Sequence, residues 1–299
     1  MSADAFAAES QADSPLRTLA PGLYLVATPI GNLEDMTLRA LRVLRSVDVI
    51  ACEDTRQTQK LLNHFGITTP TVSYHLHNEA GRSEELLARL QSGGRVAVVS
   101  DAGTPGIADP GSLVAEAAIQ AGVAVYPIPG ANAAISALIA SGLPTTEFTF
   151  HGFLPAKEGQ RRTLLEALPR DGRTHIFYEA PHRIEATLAD LEQVFGAAQP
   201  VVVARELTKL HEEFLRGPVA DLRQALAARN VRGEMVLLLA PAAAAASEAP
   251  AASIAQAVAS LMRLEQLSEK DALKRVARER GMGKSEAYRE LQREQGRLR

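Results

Sequence analysis

The sequence predicts an α/β protein with two α/β domains, followed by a small C-terminal helical segment. Short apolar runs alternate with longer amphipathic stretches over most of the chain. Several of these runs end in turns rich in glycine and proline, which is typical of buried parallel strands whose carboxyl ends meet ligand-binding loops. The 299 residues, of which 46% are hydrophobic, suffice for about two domains with cores of their own.

The composition excludes several classes of protein. A single cysteine, Cys52, rules out a disulfide framework or a cysteine-based metal site, and it fits a reducing, cytoplasmic setting. No apolar run reaches about 18 residues, so we expect no transmembrane helix and no membrane partner. The net charge of −3 does not by itself indicate a nucleic-acid-binding protein. Residues 1–20 lack a basic start and an apolar core, so we expect a disordered tail there rather than a signal peptide.

The first domain is predicted over residues 21–143. Its strands are expected at Leu23–Ala27, Val47–Ala51, Thr71–His75, Val96–Ser100 and Val123–Ile128. The helices between and after them are expected at Leu33–Arg45, Gln57–Phe65, Ser83–Gln91, Leu113–Ala121 and Ala133–Ser141. Because strand, helix and strand follow one another within about 30 residues, these strands are expected to be parallel with right-handed crossovers.

The second domain is predicted over residues 144–240, with the boundary near Leu143 and Pro144. Its strands are expected at Glu147–Phe153, Thr174–Tyr178, Pro200–Arg205, Glu212–Leu215 and Glu234–Ala240. Its helices are expected at Gln160–Leu168, Ile184–Phe195 and Val219–Arg229. An alanine-rich linker over residues 241–252 leads to a helical appendage over residues 253–299.

Three strand ends in the first domain carry elaborate loops, at Thr28–Asn32, Asp101–Gly111 and Pro127–Asn132. Carboxyl ends of parallel strands share one edge of a sheet, so the three loops are expected to converge there on a ligand. In the longest loop, Gly103 and Gly106 allow a close backbone approach because they lack a Cβ. An ordinary connection of about 2–6 residues needs no such density of glycine, proline and aspartate.

Several familiar motifs are absent or incomplete. No GxGxxG follows the first predicted strand, so a Rossmann dinucleotide site is not supported, even though Glu53 and Asp54 lie where such a site holds a ribose. His75 and His77 share a strand face, but a metal site needs a third ligand that the pattern does not supply. We therefore expect surface or core histidines and no metal.

Polar clusters also follow two strands of the second domain, at Tyr178–Arg183 and Arg205–Lys209. Each is either part of a site or an ion-paired strand-to-helix turn. A small basic patch is predicted at Lys157, Arg161 and Arg162. It is either part of a binding surface or ordinary solvated surface.

Eight motifs follow one another along the chain: TPIGNLEDMTLRAL, ACEDTRQT, SDAGTPGIADPG, PIPGANAAISALIASG, FHGFLP, FYEAPHR, ARELTKLHEEFLRG and GEMVLLL. Together they resemble the bacterial ribosomal RNA small-subunit methyltransferase I family of the tetrapyrrole methylase superfamily. The family belongs to the class III S-adenosylmethionine (SAM) methyltransferases. The resemblance spans about Pro21 to Ala240, and the last 47 or so residues match only loosely.

The resemblance implies two α/β domains of the tetrapyrrole methylase type with SAM in the cleft between them. The implied SAM-binding residues are Pro29, Ile30, Asp101, Ala102, Gly103, Thr104, Ile107, Ala108, Asp109, Pro129, Gly130, Ala131, Phe153, Glu179 and Glu234. Ile107, Ala108 and the turn at residues 129–131 suit an adenine. Asp101 and the amides of Gly103 and Thr104 suit the zwitterionic methionine end.

The implied reaction is 2′-O-methylation of a cytidine in the decoding region of 16S rRNA. A ribose hydroxyl is a poor nucleophile, so a general base and in-line orientation both contribute to the rate. Proton transfer or orientation is expected from Glu53, Asp54, Glu179, Arg205 and Glu206, and His77 is a further candidate. Contacts to the RNA are expected from Arg56, Arg161, Arg162, Arg183 and Lys209, with Arg205 also suited to phosphate.

The expected partners are 16S rRNA within the 30S subunit and a second copy of the chain in a homodimer. Two other functions stay open: methylation of a tetrapyrrole carbon, as in sibling families, and a non-catalytic role in ribosome assembly.

The helical appendage is the most basic part of the chain. Residues 263–299 carry a charge of +4, against −7 for the remainder. Ser268–Asp271 predicts a capping box at a helix start. A basic stripe of arginines spaced by four is expected to contact RNA at Arg289, Arg293 and Arg297. The alternative is a solvated or dimer-packing helix, because a glutamate precedes each of these arginines by three residues, at Glu286, Glu290 and Glu294.

Overall fold

The computed structural model describes residues 19–227, 229, 231–241, 253–265, 267–279, 282–294 and 296. The contacts group the chain into two compact units, Met1–Pro241 and Ala242–Arg299. All of the expected N-terminal tail except its last two residues, and all of the expected linker except Pro241, lie outside the described residues. Within the described residues, no helix is both long enough and apolar enough to cross a membrane.

The first sheet is fully parallel, as predicted. Its strands are β1 (Gly22–Val26), β2 (Val49–Cys52), β3 (Thr71–Ser73), β4 (Arg95–Val99) and β5 (Val125–Ile128). They are ordered β3-β2-β4-β1-β5, and every neighbouring pair is parallel. Every residue of β2 is buried, because helices cover both faces of a parallel sheet and exclude water from its central strands.

The helices of this half are α1 (Leu38–Ser46), α2 (Thr55–His64), α3 (Glu79–Gln91), α4 (Ser112–Gln120) and α5 (Ala133–Ser141). The prediction of one helix over Leu33–Arg45 is wrong. A 3₁₀ turn covers Leu33–Asp35, and α1 starts only at Leu38. Thr37 is extended, and its Oγ1 accepts the Ala40 N–H at 3.1 Å. A side-chain cap of this kind fixes a helix start, so the apolar periodicity across it covers two separate elements.

The second sheet is mixed. Its strands are β6 (Phe148–Phe153), β7 (Thr174–Glu179), β8 (Pro200–Arg205), β9 (Glu213–Pro218) and β10 (Met235–Leu239), in the order β6-β7-β10-β8-β9. Only the β6–β7 pair is parallel. Its helices are α6 (Glu158–Glu166), α7 (Ile184–Phe195) and α8 (Val219–Ala227). The fully buried β10, last in the chain, lies at the centre of the sheet.

The described residues of the second unit form three helices, α9 (Ile254–Glu265), α10 (Glu269–Glu279) and α11 (Lys284–Glu294). The predicted cap at Ser268 is present, since its Oγ accepts the Asp271 N–H at 3.2 Å. Glu294 accepts the N–H groups of Ile254 and Ala255 at the start of α9, so this glutamate caps a helix. Of the expected arginine stripe, Arg289 and Arg293 belong to α11, whereas Arg297 lies outside the described residues.

Two histidines are paired inside the second sheet. His151 Nε2 lies 3.0 Å from His175 Nδ1, and His175 Nε2 donates to the Pro169 carbonyl at 3.1 Å. The His151 ring stacks on Phe177 with centroids 4.8 Å apart. Burial, and after it the neighbouring His175, lowers the pKa of His151. The folded protein therefore favours neutral imidazole at this position.

We expect this pair to make stability depend on pH on the acid side. The unfolded chain binds a proton at His151 near its ordinary pKa of 6.5, whereas the folded chain resists it. The contribution of neutral His151 to the free energy of unfolding is therefore complete above that pH. It is lost as the pH drops towards the lower pKa of the folded state, by about 1.4 kcal/mol for each unit between the two pKa values. Urea unfolding between pH 7.5 and 5.5 measures this loss. His151→Phe should make it smaller, while exposed His182→Gln should leave it unchanged.

Candidate cofactor and active site

A pocket of about 320 Å³ lies between the carboxyl edge of the first sheet and the second sheet, within the size range of small-molecule sites. Eleven residues implied by the resemblance line it: Ile30, Asp101, Ala102, Gly103, Thr104, Ile107, Ala108, Asp109, Phe153, Glu179 and Glu234. Nine further residues line it: Asn132, Ala133, Tyr178, Ala180, Pro181, Ala204, Leu207, Met235 and Val236. Five of these lie in segments that the sequence indicates as candidate parts of a site, namely Asn132, Tyr178, Ala180, Pro181 and Leu207, and the other four were not singled out.

The other four implied cofactor residues do not line the pocket. They are Pro29, Pro129, Gly130 and Ala131. Gly130 packs closely against Ala27, since a Cβ there would lie 2.8 Å from the Cβ of Ala27. The Ala131 carbonyl accepts the Thr104 hydroxyl at 3.1 Å. A direct cofactor contact by these four residues stays a prediction.

The three predicted loops meet, as expected. Backbone hydrogen bonds join the first two, and the hydrogen bond from the Thr104 hydroxyl to the Ala131 carbonyl joins the third. The Thr28 N–H donates to the Gly103 carbonyl at 2.9 Å, and the Gly103 N–H donates to the Thr28 carbonyl at 3.1 Å. The Ser100 hydroxyl also donates to the Gly103 carbonyl, at 3.0 Å. The expectation that the Gly103 amide binds the zwitterionic methionine end is therefore wrong, because the Thr28 carbonyl already accepts its hydrogen.

The far end of the long loop is fastened by a buried carboxylate that the sequence did not single out. Glu79, 6% exposed, accepts the Gly111 N–H at 3.1 Å and the Tyr74 hydroxyl at 2.8 Å. Gly111 ends the loop and precedes α4. Between the two anchored ends, Ala108 has a positive φ of 62°, a strained conformation that costs about 1–3 kcal/mol and is common at ligand sites.

The electrostatics of the pocket favour a cationic ligand. Burial, together with the smaller effects of the charges of Glu53, Asp101 and Glu234, raises the pKa of Asp109 to about 6. Among the described residues that line the pocket, none is a lysine or arginine. A bound cation would relieve this mutual repulsion.

Glu179 and Arg183 are turned towards each other and into the protein. Glu179 accepts the Thr187 hydroxyl at 2.6 Å and the Ala180 N–H at 2.8 Å, and it pairs with Arg183 Nε at 3.0 Å. The Arg183 guanidinium also donates to the carbonyls of Leu154 and Pro155. Both oxygens of Glu179 are therefore engaged, as expected for an ion-paired strand-to-helix turn at Tyr178–Arg183.

The β8–β9 turn forms an ion-paired rim. Arg205 pairs with Glu213 at 3.2 Å, and Lys209 Nζ lies 2.9 Å from carboxylate oxygens of both Glu206 and Glu234. The hydrogen bond from Lys209 holds the pKa of Glu206 below its usual range, which makes that carboxylate a poor base near neutral pH.

The basic patch expected at Arg161 and Arg162 does not form as one surface. Arg161 is only 4% exposed, and its Nε lies 2.6 Å from a carboxylate oxygen of Asp190. It is therefore not available to RNA, contrary to the prediction. Arg162 is partly exposed, and its guanidinium lies 3.5 Å from the Glu158 carboxylate.

A shallow polar groove of about 500 Å³ runs along α2 from its first turn. Its lining includes Arg56, whose side chain is 87% exposed, and exposed Lys60. The backbone N–H of Arg56 donates to Asp54 at 2.8 Å, so Asp54 caps the helix. His75 and His77 lie edge to face, 5.9 Å apart. Within the part of the chain that is described, no three His, Cys, Asp or Glu side chains are placed to hold a metal.

Comparisons with known proteins agree on the family. The profile of the family described as Tetrapyrrole (Corrin/Porphyrin) Methylases matches residues 22–223. The chain is 55% identical over 220 residues to Ribosomal RNA small subunit methyltransferase I of Synechocystis sp., covering 74% of this chain and 79% of that protein. It is 45% identical over 276 residues to the protein of that name from Pseudomonas aeruginosa, covering 92% and 98%.

Solved structures support the same fold. A uroporphyrin-III-C-methyltransferase from Thermus thermophilus superposes with a TM-score of 0.54 at 24% identity, covering 76% of this chain and 98% of that chain. A diphthine synthase gives a TM-score of 0.56 at 16% identity, covering 73% and 89%. At these identities the likeness concerns the fold alone.

Proposed function

This chain belongs to the tetrapyrrole methylase family and, within it, to the ribosomal RNA small subunit methyltransferase I group, and from that membership we propose that it methylates a cytidine ribose 2′-hydroxyl of 16S rRNA. The methyl donor of this class is SAM. The observation that carries the proposal is the identity of 45–55% with proteins named as small-subunit rRNA methyltransferases.

The size and the acidic lining of the pocket support SAM as its ligand. Gly103 lines it at a φ of +89°, and a Cβ there would lie 3.2 Å from Ile30 Cγ2, so a larger residue would narrow the cavity. SAM supplies a methyl group on a positively charged sulfur. Asp101 and Asp109 would face that charge, and Ile107 with Ala108 would offer an apolar surface to the adenine.

The acceptor RNA needs positive charge that the pocket lining does not supply. We propose the groove along α2 as its approach, because Arg56 and Lys60 lie exposed there and Arg56 belongs to the helix that starts directly after Glu53 and Asp54. This division places the cationic donor among carboxylates and the polyanionic acceptor beside cations. Arg162 is a further candidate for RNA contact.

The test is transfer of a tritiated methyl group from SAM to RNA. We expect labelling of 16S rRNA within 30S particles, at one cytidine, in a dinucleotide that resists alkali because its 2′-oxygen is blocked. Naked 16S rRNA, assayed in parallel, shows whether the assembled particle is required. Label on a base, transfer to a tetrapyrrole instead of RNA, or SAM binding without any transfer would contradict the proposal.

We expect the Arg56→Ala, Lys60→Ala double variant to weaken RNA binding and to make it less dependent on salt. Each lost phosphate contact lowers the slope of log affinity against log salt by about one. Filter binding of 30S particles measures this slope between 50 and 300 mM salt. That interval includes the range of roughly 50–200 mM in which such losses of affinity are large. Arg173→Ala is the matched control, because Arg173 precedes β7 at the sheet end opposite the pocket. Equal slopes for both variants would exclude the groove.

Homodimer formation and an RNA contact by the helices of residues 253–299 remain proposals. The helical unit offers Arg289 and Arg293 on α11, and Arg293 also pairs with Glu290 at 2.7 Å, which fits the solvated alternative. A monomeric mass by light scattering at micromolar concentration would exclude the dimer.

A further inference from the structure

The carboxyl ends of three neighbouring strands form a polar corner beside the pocket. Cys52, the last residue of β2, pairs with Ser73 of β3 on one side and Val99 of β4 on the other. The residues that follow these strand ends therefore leave the sheet together. Glu53 and Asp54 follow β2, Tyr74 and His75 follow β3, and Ser100 and Asp101 follow β4. This corner adjoins the cofactor site, because Asp101 also lines the pocket.

Hydrogen bonds fix the backbone of this corner. The Tyr74 N–H donates to the Cys52 carbonyl at 2.8 Å, and the Asp54 N–H donates to the Asp101 carboxylate at 3.1 Å. The His75 N–H donates to Asn78 Oδ1 at 2.8 Å. Glu53 therefore lies between Cys52 and Asp54, whose backbone groups are both held by hydrogen bonds. A reacting group needs rigid support of this kind.

Glu53 differs from the other candidate acids by being unengaged. Within the described residues its half-buried carboxylate forms no hydrogen bond or ion pair. Asp54 caps α2 and pairs with Arg56, and Glu179 and Glu206 are held by the partners named above. Asp109 lies inside the pocket lining, where a bound cation would pair with it.

We propose that Glu53 accepts the proton of the acceptor hydroxyl and that His75 is a positioning residue beside it, an assignment that rests on the proposed function. His75 Nδ1 is buried and, among the described atoms, has no hydrogen-bond partner. Such an atom is costly unless the site uses it. The groove along α2 begins directly after this corner, so an RNA strand lying in it would bring a ribose towards Glu53.

The state of Glu53 suits a general base. Burial raises the pKa of its carboxyl, the charges of Asp101 and Asp54 raise it as well, and His75 lowers it. A base whose pKa is closer to the working pH is more effective. When the 2′-oxygen bonds to the methyl carbon, its proton passes to the Glu53 carboxylate. The pair of electrons of the broken carbon–sulfur bond stays on sulfur as a neutral thioether, and Glu53 then releases the proton to water.

The experiment compares Glu53→Gln with Glu84→Gln, an exposed carboxylate on α3, in the full-length protein. We expect Glu53→Gln to lower single-turnover methylation of 30S particles about 10²- to 10⁴-fold, while the Kd for SAM by calorimetry stays within about twofold. Glu84→Gln should match the wild type. Glu53→Asp should recover part of the rate, because it keeps a carboxylate at the corner.

A pH–rate profile separates catalysis from folding. The wild-type rate should rise with pH through one acid limb, which Glu53→Gln should abolish. His75→Gln should move that limb to higher pH while the rate above the limb changes little, because His75 lowers the pKa of Glu53. A purely structural role for His75 would leave the limb in place.

Three outcomes would overturn the assignment. In the first, Glu53→Gln retains a rate within about threefold of wild type, against the 10²-fold or greater loss expected on removal of a general base. In the second, the acid limb survives in Glu53→Gln and disappears in Asp109→Asn with unchanged SAM affinity, which would make Asp109 the base. In the third, the wild type binds SAM but does not methylate 16S rRNA at all, and the proposed function then fails together with the role of Glu53.

Discussion

Gly103→Val should weaken SAM binding at least about 100-fold, equivalent to roughly 2.8 kcal/mol. Gly103 lines the pocket at a φ of +89°, where a branched side chain is strained. Its Cβ would lie 3.2 Å from Ile30 Cγ2, and the two methyl groups of valine would extend beyond it. The strain also acts on the paired hydrogen bonds between Gly103 and Thr28. Isothermal titration calorimetry measures the change.

Gly93→Val is the matched control for this prediction. Gly93 has a φ of +86°, but a Cβ there meets no atom within 4 Å, and it lies in the turn before β4, at the end away from the pocket. This variant should lose stability from backbone strain while its Kd for SAM stays unchanged. Equal SAM affinity in the two variants would place the cofactor elsewhere.

Arg161→Ala should destabilise the protein by about 3–5 kcal/mol. The side chains of Arg161 and Asp190 are each only 5% exposed, and their facing atoms are 2.6 Å apart. Removing the arginine leaves a buried carboxylate without its partner and opens a cavity between α6 and α7. Urea unfolding at pH 7.5 measures the loss.

Two comparisons show whether the charge itself causes this loss. The double variant Arg161→Met, Asp190→Leu removes both charges and refills the space, so it should recover most of the stability. Arg162→Ala, at a surface pair with Glu158, should cost less than about 1 kcal/mol. A loss of similar size for Arg161→Ala and Arg162→Ala would contradict a structural role for the buried pair.

The strands of both sheets follow from local signals, but the strand order of the second sheet does not. Apolar runs followed by turns identify parallel strands because both faces of such strands are buried. Nothing in the sequence of Met235–Leu239 shows that this last strand enters between β7 and β8, because strand order depends on contacts between distant segments. The apolar periodicity continues across Thr37, so the pattern does not show that a helix starts there.

The candidate site likewise contains residues that local sequence signals predict and residues that they do not. Its loops could be predicted because a cluster of glycine, proline and aspartate at a strand end is typical of a ligand-binding loop and uncommon in an ordinary connection. Ala204, Met235 and Val236 could not, since they are ordinary strand residues that share a wall only through the register of β10 and β8. The burial of Arg161 could not be predicted either, because its ion-pair partner, Asp190, lies 29 residues away on another helix.

The anchoring of the Asp101–Gly111 loop at both ends has a thermodynamic consequence. Thr28 holds it near Gly103, and Glu79 holds it at Gly111. Its conformational entropy is therefore lost when the chain folds and not when the cofactor arrives. The heat-capacity change of cofactor binding then reflects the surface that the ligand itself buries, without the larger contribution that accompanies the ordering of a flexible segment.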